Sequence, residues 1–396
     1  MHSVEEATRA IVARLTRLPA ETVTLRAARG RVLAADVIAG RNLPGFDNSA
    51  MDGYAARAAE LPGTLPVAYV LAAGDPIRID ALPERHAVRI FTGAPLPPGA
   101  DTVVIQEDVS LEGDQVTLPA SELGDNVRRA GEDIATGELA IPSGSRLGAG
   151  ELGLLAALGC ADVSVVRAPR VALIATGDEL VDVSTVPGPG QLVDSSAHAL
   201  AALIADTGAT ATYIGIARDD PMTMAALIAS AFDHDVVITT GGVSVGERDH
   251  VRAALASAGV QLELWKVAMK PGKPFSFGMN GGVPVFGLPG NPISAFTAFE
   301  LFVRPALLAL QGVAVTQRPR APVVLVRGYR KQVGRAHFLR AHVVRNGDHL
   351  IAHPHAKQGS AMLSSLIGCN ALVELAADVT EVLPDTVVPA ILLEAV

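Results

Sequence analysis

The chain has 396 residues, more than one hydrophobic core ordinarily supports, so two or more domains are expected. It is 49% apolar but only 4% aromatic, which leaves Ala, Val, Leu and Ile to form the core and suits buried parallel strands flanked by helices. With 32 basic and 41 acidic residues the formal charge is −9, which argues against non-specific nucleic-acid binding and requires a local basic cluster for any anionic ligand.

The two cysteines, Cys160 and Cys369, are far apart and form no CxxC pair, which excludes a disulfide scaffold and fits a reducing compartment. Cys160, in the apolar run LLAALGCADV, reads as a small buried residue. Mean hydropathy is +0.34, yet no uninterrupted apolar stretch is long enough to span a bilayer, and MHSVEEATRA carries no signal-peptide pattern. A cytoplasmic protein without nucleic-acid or membrane partners is expected.

In chain order, the opening segment predicts an amphipathic helix. Ser3 and Glu6 form a capping box, Val4, Ala7, Ile11, Val12 and Leu15 share one face, and Pro19 marks the end. From about Gly40 to Leu147 the chain is punctuated by Gly and Pro. Short β-type runs at 67–71, 87–91 and 102–106 predict a β-rich module there. The segment 151–166 returns to a helical and then extended pattern, so the module reads as an insertion into another unit.

From Arg170 strands and helices alternate. Strands are predicted at 171–175, 212–216, 235–240, 262–269 and 284–286. Asp194 or Ser195 caps a helix carrying Leu200, Leu203 and Ile204, Asp220-Pro221 opens another, and Asn291-Pro292 opens a long apolar helix reaching about Leu310. This order predicts a doubly wound α/β domain with a mostly parallel sheet. After Gln317, strands at 322–326, 337–344, 350–353, 371–374 and 387–392 predict a small C-terminal β barrel or sandwich.

Open α/β sheets bind ligands at the carboxyl ends of their strands. Three loops fall there: Thr176-Gly177-Asp178-Glu179, the run Gly241-Gly242-Val243-Ser244-Val245-Gly246, and Leu288-Pro289-Gly290-Asn291-Pro292. Glycine lets backbone N–H groups approach a phosphate, and a helix N-terminus adds positive potential. One such loop reads equally as a tight turn; three on one sheet edge point to an anion site. GGVSVGERD lacks the Gly-Lys-Ser/Thr ending of a Walker loop, and TGDEL offers no GxGxxG.

Lys266, Lys270 and Lys273 form the basic cluster. In extended geometry Lys266 and Lys270 share a face, and prolines on both sides of Gly272 stiffen the loop. Set among apolar residues, the triplet reads as an oxyanion site rather than a solvated loop. Asp178, Glu179, Asp219, Asp220, Glu247 and Asp249 are expected at the same sheet edge, which suits Mg²⁺ held by one or two carboxylates beside phosphate, the others being structural. Asp220 reads equally as a helix cap. His353-Pro-His355 lacks a third ligand and does not make a zinc site.

At these residues the sequence resembles the MoeA family of molybdopterin molybdenumtransferases, to which the gephyrin E domain is related. The resemblance covers essentially the whole chain. Its most specific piece is PGFDNSAMDGYA, from Pro44 to Ala55, supported by RIFTGAP from Arg89, RAGEDI from Arg129, TGDEL, GGVSVGERD, the lysine loop and LPGNP.

The resemblance implies a four-part, multidomain fold of α/β and β parts. These would be an elongated N-terminal domain (1–45 and 136–168), an inserted β-rich module (46–135), a doubly wound, MogA-like molybdopterin-binding domain (169–316) and a C-terminal β domain (317–396). The implied reaction inserts molybdate into adenylylated molybdopterin with release of AMP, dependent on Mg²⁺. Asp52, Thr92 and Asp133 would line the cleft from the β module. Glu179, Asp219 and Asp249 would be the metal and phosphate-side acids, and Lys266 and Lys270 would hold the anionic substrate. Thr176, Gly177, Gly241, Gly242, Ser244, Pro289 and Asn291 would cradle it. The molybdate pocket would comprise Lys270, Lys273, Pro274, Ser294, Arg340 and Ser360.

A homodimer with clefts shared between subunits is implied too, with a molybdopterin adenylyltransferase and molybdoenzyme acceptors as partners. Two rival readings are a molybdopterin adenylyltransferase and a non-catalytic, gephyrin-like scaffold. The β module and C-terminal β domain argue against the first. The presence of Lys270 and the acids argues against the second.

Overall fold

Ser3 starts the first helix, α1 (Val4–Val12), by the capping box its spacing to Glu6 predicts: Glu6 N–H donates to Ser3 Oγ at 3.1 Å and Ser3 N–H to Glu6 Oε2 at 2.9 Å. The helix ends at Val12, short of Pro19. Beyond it Leu15 and Leu18 pack against the core in non-helical backbone, and Leu18 N–H donates to Leu310 O at 2.8 Å. The computed structural model describes residues 2–77, 80–241 and 250–394. These form two compact units, one of Thr22–Arg29 and Ala35–Ser164, the other of Met1–Glu21, Gly30–Ala34 and Val165–Val396.

The smaller unit is built on strands β1 (Gly53–Ala56), β2 (Gly63–Leu71), β3 (Ala87–Ile90), β4 (Thr102–Ile105), β5 (Ser110–Glu112) and β6 (Gln115–Leu118), in sheet order β4-β1-β3-β2-β6-β5. Alternating side chains bury on both faces: Ala55, Val88, Ile90 and Val103 on one, Tyr54, Ala56, Ala87 and Val104 on the other. Helix α2 (Ala149–Ala157) is the unit's α-helix among the described residues, followed in sequence by a strand at Asp162–Val166.

The larger unit holds the doubly wound layer predicted from residue 170 on. Its strands are β7 (Arg170–Thr176), β8 (Thr210–Ala217), β9 (Val236–Thr240), β10 (Gln261–Trp265), β11 (Ser276–Asn280) and β12 (Val283–Leu288). The order is β8-β7-β9-β12-β11-β10; the first four pair parallel, and β11 alone runs against them, pairing antiparallel with β12 and β10. Helix α3 (Ser196–Asp206) and the long helix α6 (Pro292–Leu310) pack on one face. Helices α4 (Pro221–Ser230) and α5 (His250–Ser257) cover the other. Asp220 caps α4, accepting from Thr223 N–H at 2.7 Å, with Pro221 at the first helical position.

By length and composition α6 could cross a membrane, but 83% of its apolar window is buried, as in a core helix. Its middle, Phe299–Val303, widens into a π-turn. Leu301 O there accepts a hydrogen bond at 3.1 Å from Thr8 Oγ1 of α1. Glu300, almost wholly buried, pairs with Arg318 through bonds of 3.0 and 3.1 Å.

Strands β13 (Arg320–Leu325), β14 (Ala336–Asn346), β15 (His349–Pro354), β16 (Ala371–Leu375) and β17 (Thr386–Leu392) close in the ring β14-β15-β13-β17-β16, back to β14. This is a five-stranded barrel filled by Val323, Leu325, Leu339, Val343 and Val373.

Gly53 has no room for a side chain: a Cβ there would lie 2.1 Å from Val104 O on β4. Gly53→Ala should therefore separate β1 from β4 and cost about 3 kcal/mol or more in urea unfolding. A variant within about 0.5 kcal/mol of the parent would contradict this packing.

Candidate active site

The strand ends of the doubly wound sheet form the floor of the site. Gly241, at φ 103°, follows β9; a Cβ on it would lie 2.4 Å from Thr176 O at the end of β7. A Cβ on Gly290, after β12, would lie 3.2 Å from the Gly241 Cα. Glycine is thus required where the three loops converge. Thr176 Oγ1 donates to Thr240 O at 3.3 Å and Thr240 Oγ1 to Pro289 O at 3.4 Å, tying the loops together.

Above this floor opens a cavity of about 640 Å³. Thr176, Gly177, Glu179, Asp219, Gly241, Pro289 and Asn291 all line it. Asp178 Oδ1 accepts from Asp219 N–H at 3.1 Å, and Arg218 Nη1 donates to the carbonyls of Asp178 and Leu180 at 2.9 and 3.2 Å. The loops after β7 and β8 therefore hold Glu179 and Asp219 on the same wall. The wall also includes Asp194, whose Oδ1 caps α3 by accepting from Ser196 and Ala197 N–H, both at 3.1 Å. Gly242, Ser244, Glu247 and Asp249 lie outside the described residues.

A second cavity, about 570 Å³, contains Lys270, Lys273, Ser294 and Ser360 in its wall, together with Tyr329, Arg335 and Gln358. No carboxylate is among its described lining residues. Pro274, Pro289 and Asn291 line both cavities and form their common wall. Asn291 N-caps α6 without a side-chain cap bond, and Ser360 O accepts from Ile293 N–H at 3.2 Å in the first turn.

Two expectations fail here. Lys266 and Lys270 do not share a strand face: β10 stops at Trp265, Lys266 turns through φ 71°, and Lys266 lines neither cavity. The chain crosses there from the α/β sheet to the barrel, where the short strand Met269–Lys270 pairs with Ala336 and His337 of β14. Arg340 lies behind the second cavity, fully buried, with Nε donating to Ser365 Oγ at 2.7 Å and Nη2 to Lys357 O at 2.9 Å and Gly359 O at 3.2 Å. It shapes the loop that carries Ser360; burial pushes its guanidinium below its ordinary pKa. The wall arginine is Arg335, five residues earlier in the same GRAHFLRA segment, and neither it nor Tyr329 was expected.

In the smaller unit the structure joins two of the three predicted residues. Thr92 donates to Asp52 Oδ1 from both its N–H and its Oγ1, each at 2.8 Å. Arg89 stacks over the rings of Tyr54 and Phe91, 5.1 and 4.8 Å from their centroids, and donates to Gly53 O at 3.1 Å. The Thr92 N–H, then its hydroxyl, hold the Asp52 carboxyl below the usual range, with a further contribution from Arg89. Asp133 is exposed and makes no hydrogen bond to this pair among the described residues.

Three family models match the chain in order: the MoeA N-terminal region (domains I and II) over residues 2–159, a probable molybdopterin binding domain over 172–309, and the MoeA C-terminal region (domain IV) over 322–393. A molybdopterin molybdenumtransferase of Haemophilus influenzae is 38% identical over 91% of this chain and 92% of its own. The chain belongs to the molybdopterin molybdenumtransferase (MoeA) family. Molybdopterin molybdenumtransferase 2 of Mycobacterium tuberculosis is 37% identical over 98% of both chains. The crystal structure of the molybdopterin biosynthesis MoeA protein from Pyrococcus horikoshii superposes with a TM-score of 0.86 at 30% identity, covering 99% of this chain and 100% of that one. The MoeA fold thus comprises the inserted β-rich module, the doubly wound layer and the C-terminal barrel described above.

Because its folded pKa is depressed, Asp52 stabilises the fold above the ordinary carboxylate range, and that contribution is lost as pH falls through the depressed value. Thr92→Val removes one of the two donors. The Asp52 pKa should rise toward its ordinary value in a carbon-detected NMR titration; an unchanged midpoint would contradict the assigned cause.

Proposed function

We propose that the chain inserts molybdate into adenylylated molybdopterin and releases AMP, in a Mg²⁺-dependent reaction. The coarser statement, molybdenum transfer in molybdenum cofactor biosynthesis, follows from family membership. The observation that carries the finer reading is the pair of cavities with a common wall, one lined by carboxylates and the other by cations with no carboxylate among its described lining residues.

A phosphoanhydride and molybdate are both anions, so bringing them together requires fixed cations and donors in place of water. Lys270 and Lys273 are suited to hold the oxyanion in the second cavity, with the Ser294 and Ser360 hydroxyls as donors. Glu179 and Asp219 are suited to hold Mg²⁺ in the first. Among the described residues no cluster of three or more acidic, His or Cys ligands occurs, and Mg²⁺ needs only one or two carboxylates beside phosphate and water, so this donor set fits. When bound, the ion supplies charge neutralisation at the phosphate as AMP departs. Asn291 and the two prolines of the common wall would keep the two reacting groups adjacent. A reducing, cytoplasmic setting suits a free dithiolene and is supported by two unpaired cysteines.

Lys270→Ala should lower molybdate-dependent AMP release by about a hundredfold or more while leaving the unfolding midpoint unchanged, since Lys270 is exposed. The assay supplies purified adenylylated molybdopterin, Mg²⁺ and molybdate. Turnover at the parent rate would sink the assignment.

We also propose a homodimer in which Asp52 and Lys270 act from different subunits. Mixing inactive Asp52→Ala with inactive Lys270→Ala makes about half of all dimers mixed, each with one intact site of two. Activity should recover to roughly a quarter of the parent value. No recovery after verified subunit exchange would place both residues in one chain.

A further inference from the structure

His337, on β14, is buried at 4% exposure, and its Nδ1 has no hydrogen-bond partner. It stands beside Lys270 in the parallel pairing that joins Met269–Lys270 to the barrel. Its ring meets the cavity residue Tyr329 edge-on, with centroids 6.0 Å apart. Lys331 lies in the same group of charges, its Nζ donating to Arg335 O at 3.1 Å and Ala377 O at 3.2 Å. Burial, and then Lys270, Lys331 and Arg335, push the imidazole pKa down to about 4. At neutral pH a buried, uncharged side chain therefore sits among three cations. The carboxylate acting on Lys331 is Asp378, which is not part of the cavity wall.

We propose that the absence of negative charge at position 337, held by the neutral, buried His337, sets the charge selectivity of the cation-lined cavity. A neutral side chain occupies the position beside Lys270 where a carboxylate would neutralise it, so the wall cations favour a dianion over a monoanion of the same shape. The inference rests on the reading of this cavity as an oxyanion site and adds what distinguishes one oxyanion from another.

Coulomb energy scales with the product of the charges. One negative charge added at position 337 should therefore penalise a dianion twice as much, in free energy, as a monoanion. The fold-loss in affinity for the dianion should be the square of that for the monoanion. General damage to the cavity would instead weaken both anions by similar factors.

Calorimetric titration of the full chain near pH 8 with molybdate and with perrhenate, tetrahedral ions of charge 2− and 1−, reads this directly without turnover. His337→Gln should stay within about twofold of the parent for both ions. His337→Glu, kept ionised by the surrounding cations, should lose on the order of fivefold for perrhenate and on the order of twenty-fivefold for molybdate. Equal losses for the two ions, or a Gln variant as weak as the Glu variant, would overturn the proposal. If His337→Glu does not fold, Lys331→Gln removes one positive charge from the same group and must show the same square relation; equal losses there overturn it as well. A parent chain that binds neither anion would instead refute the oxyanion reading on which the inference rests.

Discussion

The site depends on backbone meeting backbone where β7, β9 and β12 end. Gly241 sits so close to Thr176 O, and Gly290 so close to Gly241, that no side chain fits between the loops. That approach lets the walls of two cavities begin at one sheet edge, and it starts α6 at their common boundary. The residues of β7, β9 and β12 beneath are nearly all buried, so the loops stand on a rigid base.

On this base the fold separates opposite charges that would otherwise pair. Glu179 and Asp219 face one cavity; Lys270, Lys273 and Arg335 face the other. Elsewhere Glu300 pairs with Arg318 and Asp235 with Arg167. Like charges held together cost stability, and a bound ligand of opposite charge relieves that cost. The two kinds of ligand chemistry we propose, a phosphate bound through a metal and a tetrahedral oxyanion bound by cations, would each suit one of the two walls.

Much of this was legible in the sequence because it rests on local rules. The Ser3–Glu6 box, the Asp220-Pro221 helix start and the alternation of strands and helices from Arg170 each follow from short-range hydrogen bonding or periodicity. The gathering of Thr176, Glu179, Asp219, Gly241 and Asn291 around one cavity follows from the rule that α/β sheets bind at strand ends. The failures arose where the chain changes sheets. A left-handed conformation at Lys266, a non-glycine residue, carries no sequence signal, so 262–269 read as one strand. Arg335 and Arg340 belong to one short motif, and only strand pairing decides which faces the cavity. Nor does periodicity reveal the π-turn in α6, where the Leu301 carbonyl accepts from Thr8, 293 residues away.

We propose that the cation-lined cavity, not the carboxylate-lined one, receives the oxyanion. Anomalous diffraction at the molybdenum edge, from crystals of the chain soaked in molybdate, tests it most directly. The account predicts a molybdenum peak inside the cavity bounded by Lys270, Lys273 and Ser294. A peak found only beside Glu179 and Asp219, or no peak at saturating molybdate, would contradict it.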